Sequence, residues 1–204
     1  QKAYWKQGVS GTCLAFDSYT SRIGIPGSSA SITDEFSLEA WVAVGAYPFN
    51  WDPIVQQSEY GESGFYFGVG PSGKITLSLM TGFWNTLVTD YELPLRKWVH
   101  VVANFADGVA SIYVDGQEVA SKTFKGSFQA AKEDFIIGFN SHEQIPGDPV
   151  RPDCHECHTP VLFGFDGLID EVKILDKALT PDEIYDSFLL LSPDQSVIKR
   201  PDLQ

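Results

Sequence analysis

Apolar and polar residues alternate one for one in short blocks along most of this 204-residue chain. That period of two is the pattern of a strand buried on one face. Residues 37–44 set Leu38, Ala40, Val42 and Val44 to one side and Glu39 and Trp41 to the other. Residues 64–70 do the same with Phe65, Phe67 and Val69, and after a Pro71-Ser72-Gly73 turn the pattern resumes with Ile75, Leu77 and Leu79. Residues 98–105 direct Val99, Val101, Ala103 and Phe105 inward, and residues 110–114 meet 117–124 across Asp115-Gly116, a strong two-residue hairpin signal. Residues 135–138 and 168–175 supply further strands. The expectation is an all-β fold, a two-sheet antiparallel sandwich of eleven or twelve short strands. One short C-terminal helix completes it: Thr180-Pro181-Asp182-Glu183 offers an N-cap, a proline at the first helical position and the acid of a capping box, ahead of Ile184 and Phe188.

Composition agrees with this pattern and bounds the partners. Eighteen Gly, twelve Pro and 13% aromatic residues against one Met favour strands and tight turns over a helical bundle. The length suits one domain, expected over residues 1–191, with the proline-punctuated, aperiodic residues 192–204 as a linker or tail. A formal charge of −13 repels phosphate backbones and anionic lipid, so neither nucleic acid nor a membrane is an expected partner. No apolar run approaches the roughly 20 residues that span a bilayer.

Residues 141–164 break the alternation with His142, four prolines, Cys154 and Cys157, and read as a long loop. Cys154-His155-Glu156-Cys157-His158 fits the pattern for covalent c-type haem attachment. The same residues with His142 fit a transition-metal site, and Cys154 with Cys157 fits a local disulfide in an oxidising compartment. All three readings stay open. Cys13 reads as a small buried residue.

Sugar recognition needs flat apolar faces to stack on ring C–H groups, and planar polar side chains for paired hydrogen bonds to hydroxyls. The segment 47–60 interleaves Tyr47, Phe49, Trp51 and Tyr60 with Asn50, Asp52, Gln56, Gln57 and Glu59, and Trp84 with Asn85 sits on a second expected loop. The competing reading has Tyr47 and Trp51 packing the edge of the sandwich. Catalytic residues are not evident: glycosidases need two acids about 5 to 9.5 Å apart, and Glu39 has no same-face acidic partner. There is no phosphate-cradling glycine loop, dinucleotide fingerprint or recognisable Ser-His-Asp frame. Asp170 shares a side with Val172 and Ile174 by alternation, and a buried carboxylate there needs a cation or backbone N–H donors.

Four stretches then point to a family. Gly8-Val9-Ser10-Gly11 runs into Leu14-Ala15-Phe16-Asp17; residues 36–42 follow; residues 98–101 go with Tyr113-Val114-Asp115-Gly116; and Phe165-Asp166-Gly167-Leu168-Ile169-Asp170-Glu171-Val172 precedes Ala178-Leu179. In this order they resemble the laminin-G-like, or concanavalin-A-like, jelly-roll modules of extracellular and polysaccharide-degrading proteins. The resemblance implies a non-catalytic carbohydrate-binding module, secreted or at the cell surface, with a structural calcium near the chain ends at Asp17 and Asp170. The expected ligand site is Tyr47, Trp51, Asp52, Gln56, Tyr60, Trp84 and His142, and the expected partners are a poly- or oligosaccharide and a covalently linked catalytic domain. Residues 46–51 and Arg200-Pro201-Asp202-Leu203 also look like modules joined to glycoside hydrolases of the fructan-cleaving family 32. An extracellular protein-interaction or adhesion domain is the alternative.

Overall fold

The structure, a computed structural model, describes residues 4–48, 51–59, 62–140 and 164–192. Among them thirteen strands form two antiparallel sheets. The first five are β1 (Tyr4–Gln7), β2 (Thr12–Asp17), β3 (Ile23–Ile25), β4 (Phe36–Val44) and β5 (Asp52–Glu59). Then come β6 (Ser63–Val69), β7 (Lys74–Met80), β8 (Trp84–Glu92), β9 (Val99–Ala106), β10 (Val109–Val114) and β11 (Gln117–Thr123). The last are β12 (Phe135–Ile137) and β13 (Asp166–Leu175), followed by the helix α1 (Pro181–Leu191). One sheet has seven strands in the order β1-β2-β13-β4-β9-β10-β11, and the other has six in the order β3-β12-β5-β6-β7-β8. This is the expected jelly-roll sandwich. No helix among the described residues is long and apolar enough to cross a membrane.

The alternation read from the sequence is the alternation that packs. Leu38, Ala40, Val42, Val99, Val101, Ala103 and Phe105 of the larger sheet meet Phe65, Phe67, Val69, Ile75, Leu77 and Leu79 of the smaller in one core. Phe36 lies at its centre, with ring centroids 5.2 Å from Phe128 and 5.8 Å from both Phe65 and Phe105. Asp115 and Gly116 both take positive φ, 47° and 79°, the geometry of the hairpin turn that matches strand twist.

The helix begins where its cap was read. Thr180 accepts from the Glu183 backbone N–H, and the Glu183 side chain reaches back to the Thr180 N–H. It covers the outer face of the seven-stranded sheet, where Phe188 stacks on Trp41 at 5.9 Å and Ile184 packs with Val102 and Tyr113. That cover explains why Glu39 and Trp41, on the face away from the core, are also buried. Glu39 Oε1 accepts from Lys173 Nζ (2.7 Å), from His100 Nε2 (3.1 Å) and from Ser187 Oγ on the helix. Burial alone would raise this carboxyl, but the hydrogen bonds from His100, Lys173 and Ser187 outweigh it and bring the group down to about 2.

Two segments depart from the sequence reading. Within the ligand-bearing segment 47–60, residues 52–59 are strand β5, and Trp84 with Asn85, expected on a second loop, begin strand β8. The register of β5 with β6 shifts between Pro53 and Val55, the irregularity at which a strand proline is tolerated. In β13 the register with β4 shifts between Asp170 and Lys173, and Glu171 sits at φ 49°. This bulge reverses the alternation: Val172 and Ile174 pack on the main core, whereas Asp170 lies opposite Trp41 on the outer side.

Candidate functional site

The pairing of the six-stranded sheet builds a row across its outer face. Gln56 lies opposite Tyr66, Tyr66 opposite Ser78, and Ser78 opposite Thr86. Because Phe65 and Phe67 point into the core, Tyr66 must point out, and the same parity places Thr76 and Ser78 beside it. Trp51, immediately before β5, meets the Tyr66 ring edge-on at 5.3 Å and 87°. Trp84, at the start of β8, closes on the other side of Tyr66 at 4.8 Å and 38°. Trp51, Tyr66, Thr76 and Ser78 line an open cleft of about 210 Å³, below the usual range for pockets that enclose a ligand. It has room for one ring laid against the aromatics.

The described floor of the cleft is neutral. Ser78 and Thr86 share a hydrogen bond of 2.9 Å between their hydroxyls, and the Tyr66 hydroxyl donates to Ser58 Oγ at 3.0 Å. Burial pushes the Tyr66 phenol up from its ordinary value, so it stays protonated at neutral pH. An ensemble of aromatic faces and hydroxyls suits an uncharged, hydroxyl-rich ring and offers no general acid or base.

The residues named from the sequence divide. Trp51 lines this cleft, and Trp84 packs beside it on the same Tyr66 ring. Tyr47 does not line it: its hydroxyl donates to the Leu93 carbonyl at 2.7 Å, and its ring lies so close over Gly73 that a Cβ there would approach it to 2.4 Å. That fits the edge-packing reading. Gln56 lies beside Tyr66 in register but is 1% exposed. Tyr60 and His142 lie outside the described residues, as do Cys154, His155, Cys157 and His158. Sequence reasoning passed over Tyr66, although its parity between two core phenylalanines already gave its direction.

Asp52 does not line the cleft: its side chain is 4% exposed, and its Oδ1 has no hydrogen-bond partner among the described residues. Burial, reinforced by the negative Asp166, pushes this carboxyl up to about 7 from an ordinary 3.8. The folded state therefore holds a proton that the unfolded chain gives up, and stability falls as pH rises from about 4 through 7. Asp52→Asn, which keeps the shape and removes the ionisation, is expected to flatten that fall, leaving the variant about 2–4 kcal/mol more stable than the parent at pH 8. Urea unfolding across pH 4–8 measures it. Parallel profiles for the two proteins would contradict the assignment.

Asp17 and Asp170, the two positions expected near a calcium, lie apart in the sheet. Asp17 pairs in register with Asp166, which puts Asp170 four residues farther along, roughly 13 Å away. Asp170 Oδ2 accepts from the Val9 and Ser10 N–H groups and Oδ1 from that of Glu171. Asp17 closes its own turn, accepting from the N–H groups of Tyr19, Thr20 and Ser21 and from the Thr20 hydroxyl. Partial desolvation of Asp17 is outweighed by these bonds, which hold the carboxyl well below the usual range. No group of three or more His, Cys, Asp or Glu side chains among the described residues is placed to hold a metal ion. Cys13, beside this region, is buried and its thiol is raised to about 11 by burial and the Asp170 charge.

The sequence model of the concanavalin A-like lectin/glucanases superfamily, in its laminin-G form, matches residues 17–150. The chain belongs to that superfamily. No curated protein sequence matches it. Among solved structures, this lectin/glucanase-type chain is similar to domain 4 of AbnA, a GH43 extracellular arabinanase from Geobacillus stearothermophilus, in complex with arabinotriose. The TM-score is 0.70 at 20% identity, covering 91% of this chain and 81% of that one. It is similar as well to the CBM40 of the Ruminococcus gnavus IT-sialidase bound to alpha2,3 sialyllactose, with TM-score 0.66, 10% identity and coverage of 86% and 96%. The binding domain of botulinum neurotoxin serotype G matches at TM-score 0.70 and 14% identity, covering 94% of this chain and 45% of that one. At these identities the likeness is one of fold, and the fold is one that carbohydrate-binding modules and glycoside-hydrolase domains use.

Proposed function

We propose that this chain is a non-catalytic carbohydrate-binding module whose site is the cleft of Trp51, Tyr66 and Trp84. The observation that carries the reading is the aromatic trio standing beside the hydroxyls of Thr76, Ser78 and Thr86 on one sheet face. Stacking on the apolar side of a sugar ring, with hydroxyls to meet its polar rim, is the recognition this chemistry performs. Hydrolysis would need two facing acids. Asp52 is buried, Glu39 is locked beneath the helix on the opposite sheet, and no carboxylate is among the cleft's described walls.

Such a module acts by holding a tethered enzyme close to polymer outside the cell, which raises the effective concentration of substrate without new chemistry. The two sugar-bound domains of similar fold come from an arabinanase and a sialidase, which supports that arrangement. Fructan is the polymer that the family 32 resemblance nominates. A glycan array probed with this chain tests the reading. Retention on at least one polysaccharide class with no release of reducing ends is the expected result. Silence across the array would favour a protein partner, and sugar release by the purified chain would overturn non-catalysis.

A further inference from the structure

Resting on that reading, we infer that the cleft selects uncharged saccharide units and discriminates against sugars that carry a carboxylate or sulfate. Each described wall is a neutral side chain: the Trp51 indole, the protonated Tyr66 phenol and the hydroxyls of Thr76 and Ser78, with the Trp84 indole packed on Tyr66 beside them. An anionic substituent laid against these walls would leave water without gaining a cation, and desolvating an unpaired charge costs far more than desolvating a hydroxyl that finds a partner.

Among the described residues, the two lysines near this face, Lys74 of β7 and Lys122 of β11 in the other sheet, each have a partner. Lys74, two residues from Thr76 on the same strand, pairs with Asp90 at 3.5 Å. Lys122 donates to the Thr86 carbonyl at 3.1 Å and lies over the Phe124 ring at 5.8 Å, with its charge held on main chain and aromatic face. The field of the whole molecule acts the same way. Fourteen Lys and Arg against 27 Asp and Glu oppose the approach of any anion. Hydroxyl-rich neutral rings feel neither penalty. A sialoside-type ligand, such as the one in the sialidase module of similar fold, therefore meets no cation among the cleft's described walls.

The test compares matched oligosaccharides by titration calorimetry on the full chain: a neutral series of arabino-, fructo- and gluco-oligosaccharides, and sialylated or uronic acid counterparts. At least one neutral ligand is expected to bind at least about tenfold more tightly than its anionic counterpart. Neutral binding should change less than about twofold between about 0.02 and 0.5 M salt, because no ion pair is there to screen. An anionic ligand that binds as tightly as the neutral ones, with affinity falling as salt rises, overturns the inference and leaves the sugar reading intact. Absence of binding to either series overturns both.

Discussion

Glu39→Ala is expected to lower folding stability by about 3 kcal/mol, toward the lower end of the cost of breaking a buried ion pair. The argument lies in what the carboxylate holds. Its oxygen takes protons from a histidine with no exposure, a lysine and a helix serine, so one atom ties β4, β9, β13 and α1 together. Removing it leaves His100 sealed under Trp41 and Phe188 with its Nε2 proton unmatched. The lysine side chain is 37% exposed and can recover water, which keeps the cost below the upper end of the range. Glu39→Gln, which still accepts, should lose less.

The pH dependence has a definite sign. With the folded group down at about 2 and an ordinary value of 4.5, the contribution is complete above pH 4.5 and is lost as pH falls toward 2. The gap between parent and Glu39→Ala should therefore close over that interval in urea titrations. A gap that persists unchanged at low pH, or a cost below about 1 kcal/mol at neutral pH, would show that α1 is held by its apolar face alone.

Tyr66→Ala is expected to weaken binding of the best neutral glycan by at least about thirtyfold, the loss typical of a central aromatic anchor. Tyr66 is the ring that both tryptophans touch, so its removal takes away one stacking face and the support of two others. Tyr66→Phe keeps the ring and removes the hydroxyl that donates to Ser58, and should bind within a few-fold of the parent. Thermal melts of both variants separate binding from folding, since Tyr66 lies outside the inter-sheet core. Equal weakening in the two variants would assign the effect to the hydroxyl and not to stacking.

The core and the helix were legible because period-two alternation and capping are local signals: Phe65, Phe67, Val101 and Thr180 do in three dimensions what their spacing says. What misled was interleaved composition and irregularity within strands. The interleaving of aromatic and polar residues over 47–60 made Asp52 a ligand candidate, whereas β5, irregular at Pro53, buries it. The bulge at Glu171 moved Asp170 from the core side to the outer side, where the N–H groups of Val9 and Ser10 meet it. A bulge of this kind depends on the partner strand and has no signature in the residues themselves. Trp51 and Trp84 were recoverable as aromatics near a site, but their meeting at Tyr66 depends on the β5-β6-β7-β8 order, which alternation leaves open.

The most direct measurement is a crystal structure of the chain with the tightest-binding neutral oligosaccharide. The account predicts a sugar ring packed against Trp51 and Tyr66, with its hydroxyls toward Thr76 and Ser78. A sugar bound on the seven-stranded sheet or at an end of the sandwich, with no contact to Trp51, Tyr66 or Trp84, would contradict it.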